Sequence, residues 1–260
     1  MNHSKINYFR LFLLAVFVNI LSQAIHETAH MVTYQMYHRN PTWGFIGLVQ
    51  IWDAPPLNPK GWVEMNAPDG SSGWLRLDSS PSSKTERGFE AAAGPLASLV
   101  FTILSLWIAY KGHTIVYKVI GLMFSLSTSF TMAAYYLRSP MRMIGDEFDI
   151  ASQLGISKGI VEAVFGFAFI LCFLLGLRWL DTWRSRLSWL SIIILGGMAT
   201  GILLNIADHW VRIFVNQGSF FFQSVLGYSL PVLIVYLLTL FSIFIWEFKA
   251  KEIISVANAG

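Results

Sequence analysis

Six apolar stretches, at about 8–37, 89–110, 115–137, 157–179, 188–207 and 222–247, constrain this chain more than any other feature. A bilayer core of roughly 30 Å is crossed by about 20 consecutive apolar residues of helix. Inside it every backbone polar group must be bonded within the protein, which leaves only helices or closed barrels. The stretches run as blocks and not as alternating stripes, so helices are expected. Composition agrees: 55% of the residues are hydrophobic and 13% charged, about half the charged share of a soluble domain. The expectation is an all-α polytopic membrane protein with about six transmembrane helices, embedded in the lipid bilayer of the cell membrane. The net charge of +3 comes from scattered basic residues, which leaves no electrostatic footprint for nucleic acid.

Lys5 and Arg10, then "LFLLAVFVNI", then "SQA" have the order of a secretory signal peptide. The apolar pattern runs on well past Ala24, which favours a membrane helix. The segment 39–88 differs from the rest. "WGFIGLVQIWD" (43–53) and "GWLRLDSS" (73–80) read as short strands separated by turn signals. A small β-hairpin packed on or dipping into the membrane edge is expected there, with Trp43, Trp52, Trp62 and Trp74 at the interface; a plain solvated loop is the alternative. The chain divides accordingly into a membrane core over 1–150, with the insertion at 39–88, and three further transmembrane helices over 151–260.

Two stretches look built for close helix packing. "GFEAAAGPLASLV" opens the second span with small residues, and Gly197 and Gly201 have GxxxG spacing in the fifth. Pro95 within the second span removes a helical hydrogen bond, so a neighbouring group must satisfy the freed carbonyl.

The chemistry is concentrated in "HETAH". His26 and His30 are four residues apart in the first span, so a helix stacks them on one face, where both imidazoles can hold one metal ion. Glu27 stands beside that face and can take a proton from a water. Ionisable groups within a membrane span are rare and functional by default; a polar helix-packing patch is the bland alternative. The single cysteine, Cys172, rules out thiolate clusters, so further ligands must be nitrogen or oxygen. A catalytic zinc takes three protein ligands and keeps one position open. His3, His38 and His113 lie at loops or ends. Carboxylates suit better: Asp146 and Asp149, in "GDEFD" after the helix break at Ser139–Pro140, with Asp208 less favoured. "DEFD" could also be an acidic turn that caps the following helix.

"HETAH" in the first span, "AAGPLASL" in the next and "GDEFD" after the third together resemble the site-2 protease family of intramembrane zinc metalloproteases. The resemblance covers about residues 8–150. It implies a three-helix core, one zinc per chain on His26, His30 and Asp146, and Glu27 as the general base. It implies that Gly94 and Pro95 match the Gly-Pro of the family's second motif and position substrate, with Ser98 standing where the family has asparagine. The family's Asp-Gly order is reversed in Gly145–Asp146, which leaves Asp149 as an alternative ligand. The substrate implied is a membrane protein with a transmembrane segment. Three other readings share the residues: a metal transporter, a non-catalytic scaffold with the same His/Asp site, and a CAAX-type zinc protease using Glu162.

Overall fold

The computed structural model describes residues 8–37, 83–138 and 145–216, the backbone of short strands at 51–52, 62–66, 72–76, 224–225 and 228–229, and isolated helical residues over 233–241. The described body is helical: α1 (Tyr8–Met36), α2 (Lys84–Lys111), α3 (Ile115–Arg138), α4 (Asp146–Leu154), α5 (Lys158–Leu177) and α6 (Trp183–Asn216). All but α4 are long and apolar enough to cross a bilayer, α6 by its Trp183–Ala207 part. This is the build of a multi-pass membrane protein with five candidate spans among the described residues. These are five of the six expected stretches. The sixth stretch, 222–247, opens on a two-residue strand pair, Ser224–Val225 against Tyr228–Ser229, and most of it lies outside the described residues.

The insertion also departs from expectation. Strand β1 (Ile51–Trp52), β2 (Trp62–Asn66) and β3 (Ser72–Arg76) order as β1-β3-β2. The long antiparallel register runs between β2 and β3, from Trp62↔Arg76 to Asn66↔Ser72. Ile51 and Trp52 of the first expected strand do pair, antiparallel, with Leu75 and Trp74 of the second. The departure is β2, a third strand that makes the element more than a two-stranded hairpin, and residues 43–50 lie outside the described ones.

Local chemistry explains the helix limits. Ser83 and Glu86 form a reciprocal capping box that starts α2: the Ser83 N–H donates to Glu86 and the Glu86 N–H to the Ser83 hydroxyl. Gly155, at φ 67°, ends α4 in the left-handed conformation that glycine adopts without a Cβ penalty. α2 and α3 then pack backbone to backbone, since a Cβ on Gly121 would stand 2.6 Å from the Ser105 carbonyl and 2.8 Å from the Ala109 nitrogen.

α3 is the central helix, with 56% of its span buried against 33% for α1, α2 and α5. Its interior face carries Ser125, Ser127, Thr128 and Ser129, while Val100, Phe101 and Trp107 of α2 and Val164, Phe167 and Leu174 of α5 point outward. Small polar residues inside and large apolar ones outside suit a lipid surround. One core joins Leu14, Ala15 and Val18 of α1, Met123 and Leu126 of α3, and Trp189, Ile192 and Ile193 of α6, so the spans after residue 150 share the interior of the first three. α6 closes on α1 through Gly196, where a Cβ would meet that of Ala15 at 2.7 Å, and through Thr200, which donates to the Val16 carbonyl at 3.2 Å. Gly197 and Gly201, the expected packing pair, have no neighbour within 4 Å among the described residues.

Candidate metal centre

α1 delivers His26 and His30 from successive turns of one face, and their rings meet edge-on with centroids 4.9 Å apart. α4 delivers Asp146 from its first turn. The His26 Nε2 lies 3.1 Å and the His30 Nε2 3.4 Å from the same Asp146 oxygen, Oδ2, and the two nitrogens are 3.3 Å apart. Residues 120 positions apart in the chain thus converge three ligand atoms on one point.

The outer nitrogens decide what the inner ones offer. The His30 Nδ1 lies 2.6 Å from the Glu90 backbone carbonyl, which can only accept, so that nitrogen carries the proton and a neutral His30 turns the Nε2 lone pair inward. The Glu90 carbonyl has a second lone pair for this bond beside the one used in the helix. The His26 Nδ1 stands 3.1 Å from the hydroxyl of Ser98, itself buried in α2; donation to that hydroxyl turns the His26 lone pair inward too. Two lone pairs and a carboxylate oxygen facing one another repel unless a cation stands between them. A proton serves one pair at a time, whereas a metal ion serves all three.

The donor set fits such an ion. Ligands about 2.0–2.1 Å from a tetrahedral zinc stand about 3.3–3.4 Å from one another, and the three separations are 3.1, 3.3 and 3.4 Å. Gly94 leaves the room. A Cβ there would press into the His30 Nε2 and stand 2.7 and 2.8 Å from the His26 Nε2 and Cε1, in the volume between the inward nitrogens. His26, His30 and Asp146 are the only such ligand group found among the described residues.

Glu27 lies alongside, buried, and the Gln23 amide donates to its Oε1 at 2.9 Å, one turn back along α1. Burial acts first on Asp146, working against its charge, but the two imidazoles outweigh it and hold the carboxyl well below the usual range. Asp149 is exposed and does not join the group; burial of its surroundings, then Asp146 and Glu147, push its carboxyl up. Neither aspartate supplies a side-chain cap: the N-cap of α4 is Gly145, at φ 137°. Glu162 pairs with Lys158 at 3.2 Å and is not in the ligand group. Asp208 lies in α6 with its side chain outside the described residues; His3 and His38 are also outside them.

Gly94 and Ser98 meet the histidines themselves, a use their motif did not announce, while Pro95 lies buried in α2 beside Gly94. Sequence reasoning also missed Gln23 and the Glu90 carbonyl. Only Gln23 left a readable signal, its four-residue spacing from Glu27. Comparison with protein-family models, curated proteins and solved structures gives no match for this chain.

Proposed function

We propose that the chain is a zinc-dependent intramembrane endopeptidase of the site-2 protease type, with one Zn2+ per chain on His26, His30 and Asp146. The observation that carries this reading is the convergence of two imidazoles of a candidate membrane span and one carboxylate of α4 beside a buried carboxylate, Glu27, that is not among them. A site meant only to hold or pass a metal gives Glu27 no duty, and this separates hydrolysis from transport or a scaffold.

When bound, zinc polarises the scissile carbonyl and makes a water acidic near neutral pH. The chain's own groups do the rest. Glu27 has one oxygen held by Gln23 and the other left to take the proton from the attacking water and return it to the leaving amine. The Glu90 carbonyl and Ser98 hold the imidazoles in register, and Gly94 keeps the space in front of them clear. The substrate is a membrane protein whose transmembrane segment unwinds locally, because helical bonding otherwise hides its peptide bonds. The strands of the insertion offer an edge on which the unwound segment can pair, and Pro95 and Ser98 flank the approach from α2.

The test is Glu27→Gln in the full chain, reconstituted in vesicles with candidate transmembrane substrates. Glutamine keeps the shape and the contact with Gln23 but cannot take a proton. Zinc content should stay at one per chain while cleavage falls by about a hundredfold or more. Cleavage at the wild-type rate would remove Glu27 as base and the protease reading with it. Loss of zinc in this variant would make Glu27 a ligand.

A further inference from the structure

A second carboxylate beside Asp146 is used by none of the chemistry above. Glu147 follows it directly and is completely buried. A carboxylate removed from water is tolerated only where it is paired and hydrogen-bonded, and here two neighbouring helices, α3 and α5, supply the partners. The Tyr135 hydroxyl of α3 donates to the Glu147 Oε2 at 2.8 Å. The Lys158 ammonium at the start of α5 lies 3.6 Å from Oε1 and 3.2 Å from Glu162.

The backbone is shaped around this knot. Gly145 takes φ 137°, and a Cβ there would stand 2.5 Å from the Tyr135 hydroxyl and 2.8 Å from both Glu147 oxygens. The turn into α4 therefore has no room for a side chain beside the Tyr135–Glu147 hydrogen bond. α4 itself has nine residues, and its N-cap offers no side-chain bond. Ile150 and Ala151 fix it further along, against Ala91 of α2 and Val161 of α5. Its first turn depends on Glu147.

Successive helical residues point about 100° apart. With Glu147 turned toward α3 and α5, Asp146 cannot face the same way; it is left facing α1, with its Oδ2 at 3.1 and 3.4 Å from the two histidines. We infer that Glu147, held by Tyr135 and Lys158, is the positioning residue of the third metal ligand: it fixes the first turn of α4 so that the neighbouring carboxylate meets the two imidazoles. This rests on the metal-site reading above. A clip that merely fastened helices would affect stability and leave metal affinity alone.

The experiment uses the full chain in detergent, metal-free, with Tyr135→Phe and Glu147→Gln as variants. Phenylalanine keeps the ring and removes the hydrogen bond. Glutamine keeps an oxygen for Tyr135 and removes the charge that Lys158 meets. Zn2+ alone is titrated against a chromophoric chelator, Co2+ alone is followed by its visible absorption, and melting of the metal-free protein reports the fold. Zn2+ affinity should fall about tenfold to a hundredfold in both variants. The Co2+ spectrum should change even in a variant that melts like wild type, which a merely structural clip would not produce. If Glu147→Gln fails to fold, Tyr135→Phe decides alone. Zn2+ affinity within twofold of wild type and an unchanged Co2+ spectrum would overturn the positioning role while the metal site stands. A wild-type chain that binds no Zn2+ would remove both.

Discussion

Adding a single methyl group at residue 94 tests the centre most directly. In Gly94→Ala the new Cβ would press into the His30 Nε2 and stand 2.7 and 2.8 Å from two atoms of the His26 ring. Unstrained carbon contacts are about 3.5–4.0 Å, so α2 and the imidazoles must separate by about 1 Å. Neither side gives easily. The His30 ring is tied to the Glu90 carbonyl of α2 at 2.6 Å and the His26 ring to Ser98 of the same helix at 3.1 Å, so a retreat of α2 strains both bonds. Overpacking of this kind costs about 1–3 kcal/mol. Charged to the metal-bound state, that is about a fivefold to 150-fold loss of affinity, and more if an imidazole rotates away. The assay is Zn2+ competition with a chelator on the purified chain, with metal counted by mass spectrometry. Gly196→Ala is the control: its Cβ meets Ala15 at 2.7 Å, a milder crowding between α6 and α1 that involves neither histidine, and should lower the melting temperature with zinc affinity unchanged. Wild-type zinc affinity in Gly94→Ala would refute the reasoning, because the volume a methyl fills would then not be the volume the ion needs.

Two further outcomes follow from the same geometry. Asp146→Asn should remove most zinc binding, while Asp149→Asn, on an exposed carboxylate outside the ligand group, should change it by less than about tenfold; a chelator titration showing the reverse order would move the ligand to Asp149. Ser98→Ala takes away the group beside the His26 Nδ1 and should weaken zinc about tenfold to a hundredfold with little change in melting temperature, whereas unchanged affinity would return Ser98 to a packing role.

The features legible from sequence were those set by spacing along one helix. His26 and His30 are neighbours because four residues make about one turn, whatever surrounds them, and long apolar runs are helices because lipid allows little else. Features that depend on approach between helices were not legible. Gly94 reads as a packing glycine, and so do Gly197 and Gly201; only contact reveals that the first faces two imidazoles and the other two meet nothing within 4 Å among the described residues. The choice between Asp146 and Asp149 turns on the rotation of α4, which local spacing cannot fix because both stand in its first turns. That rotation is set from outside: Gly145 at φ 137°, Tyr135 twelve residues back and Lys158 eleven residues on. Each looks ordinary in the chain, a glycine before an acidic turn, a tyrosine at a helix end and a lysine at a helix start. The buried Glu147 makes them one unit, for a carboxylate without water must collect its partners from wherever the fold brings them. On the proposed metal-site reading the third ligand is decided by a neighbour outside the ligand group, and the reversed Gly145–Asp146 order still presents its aspartate to the histidines of α1.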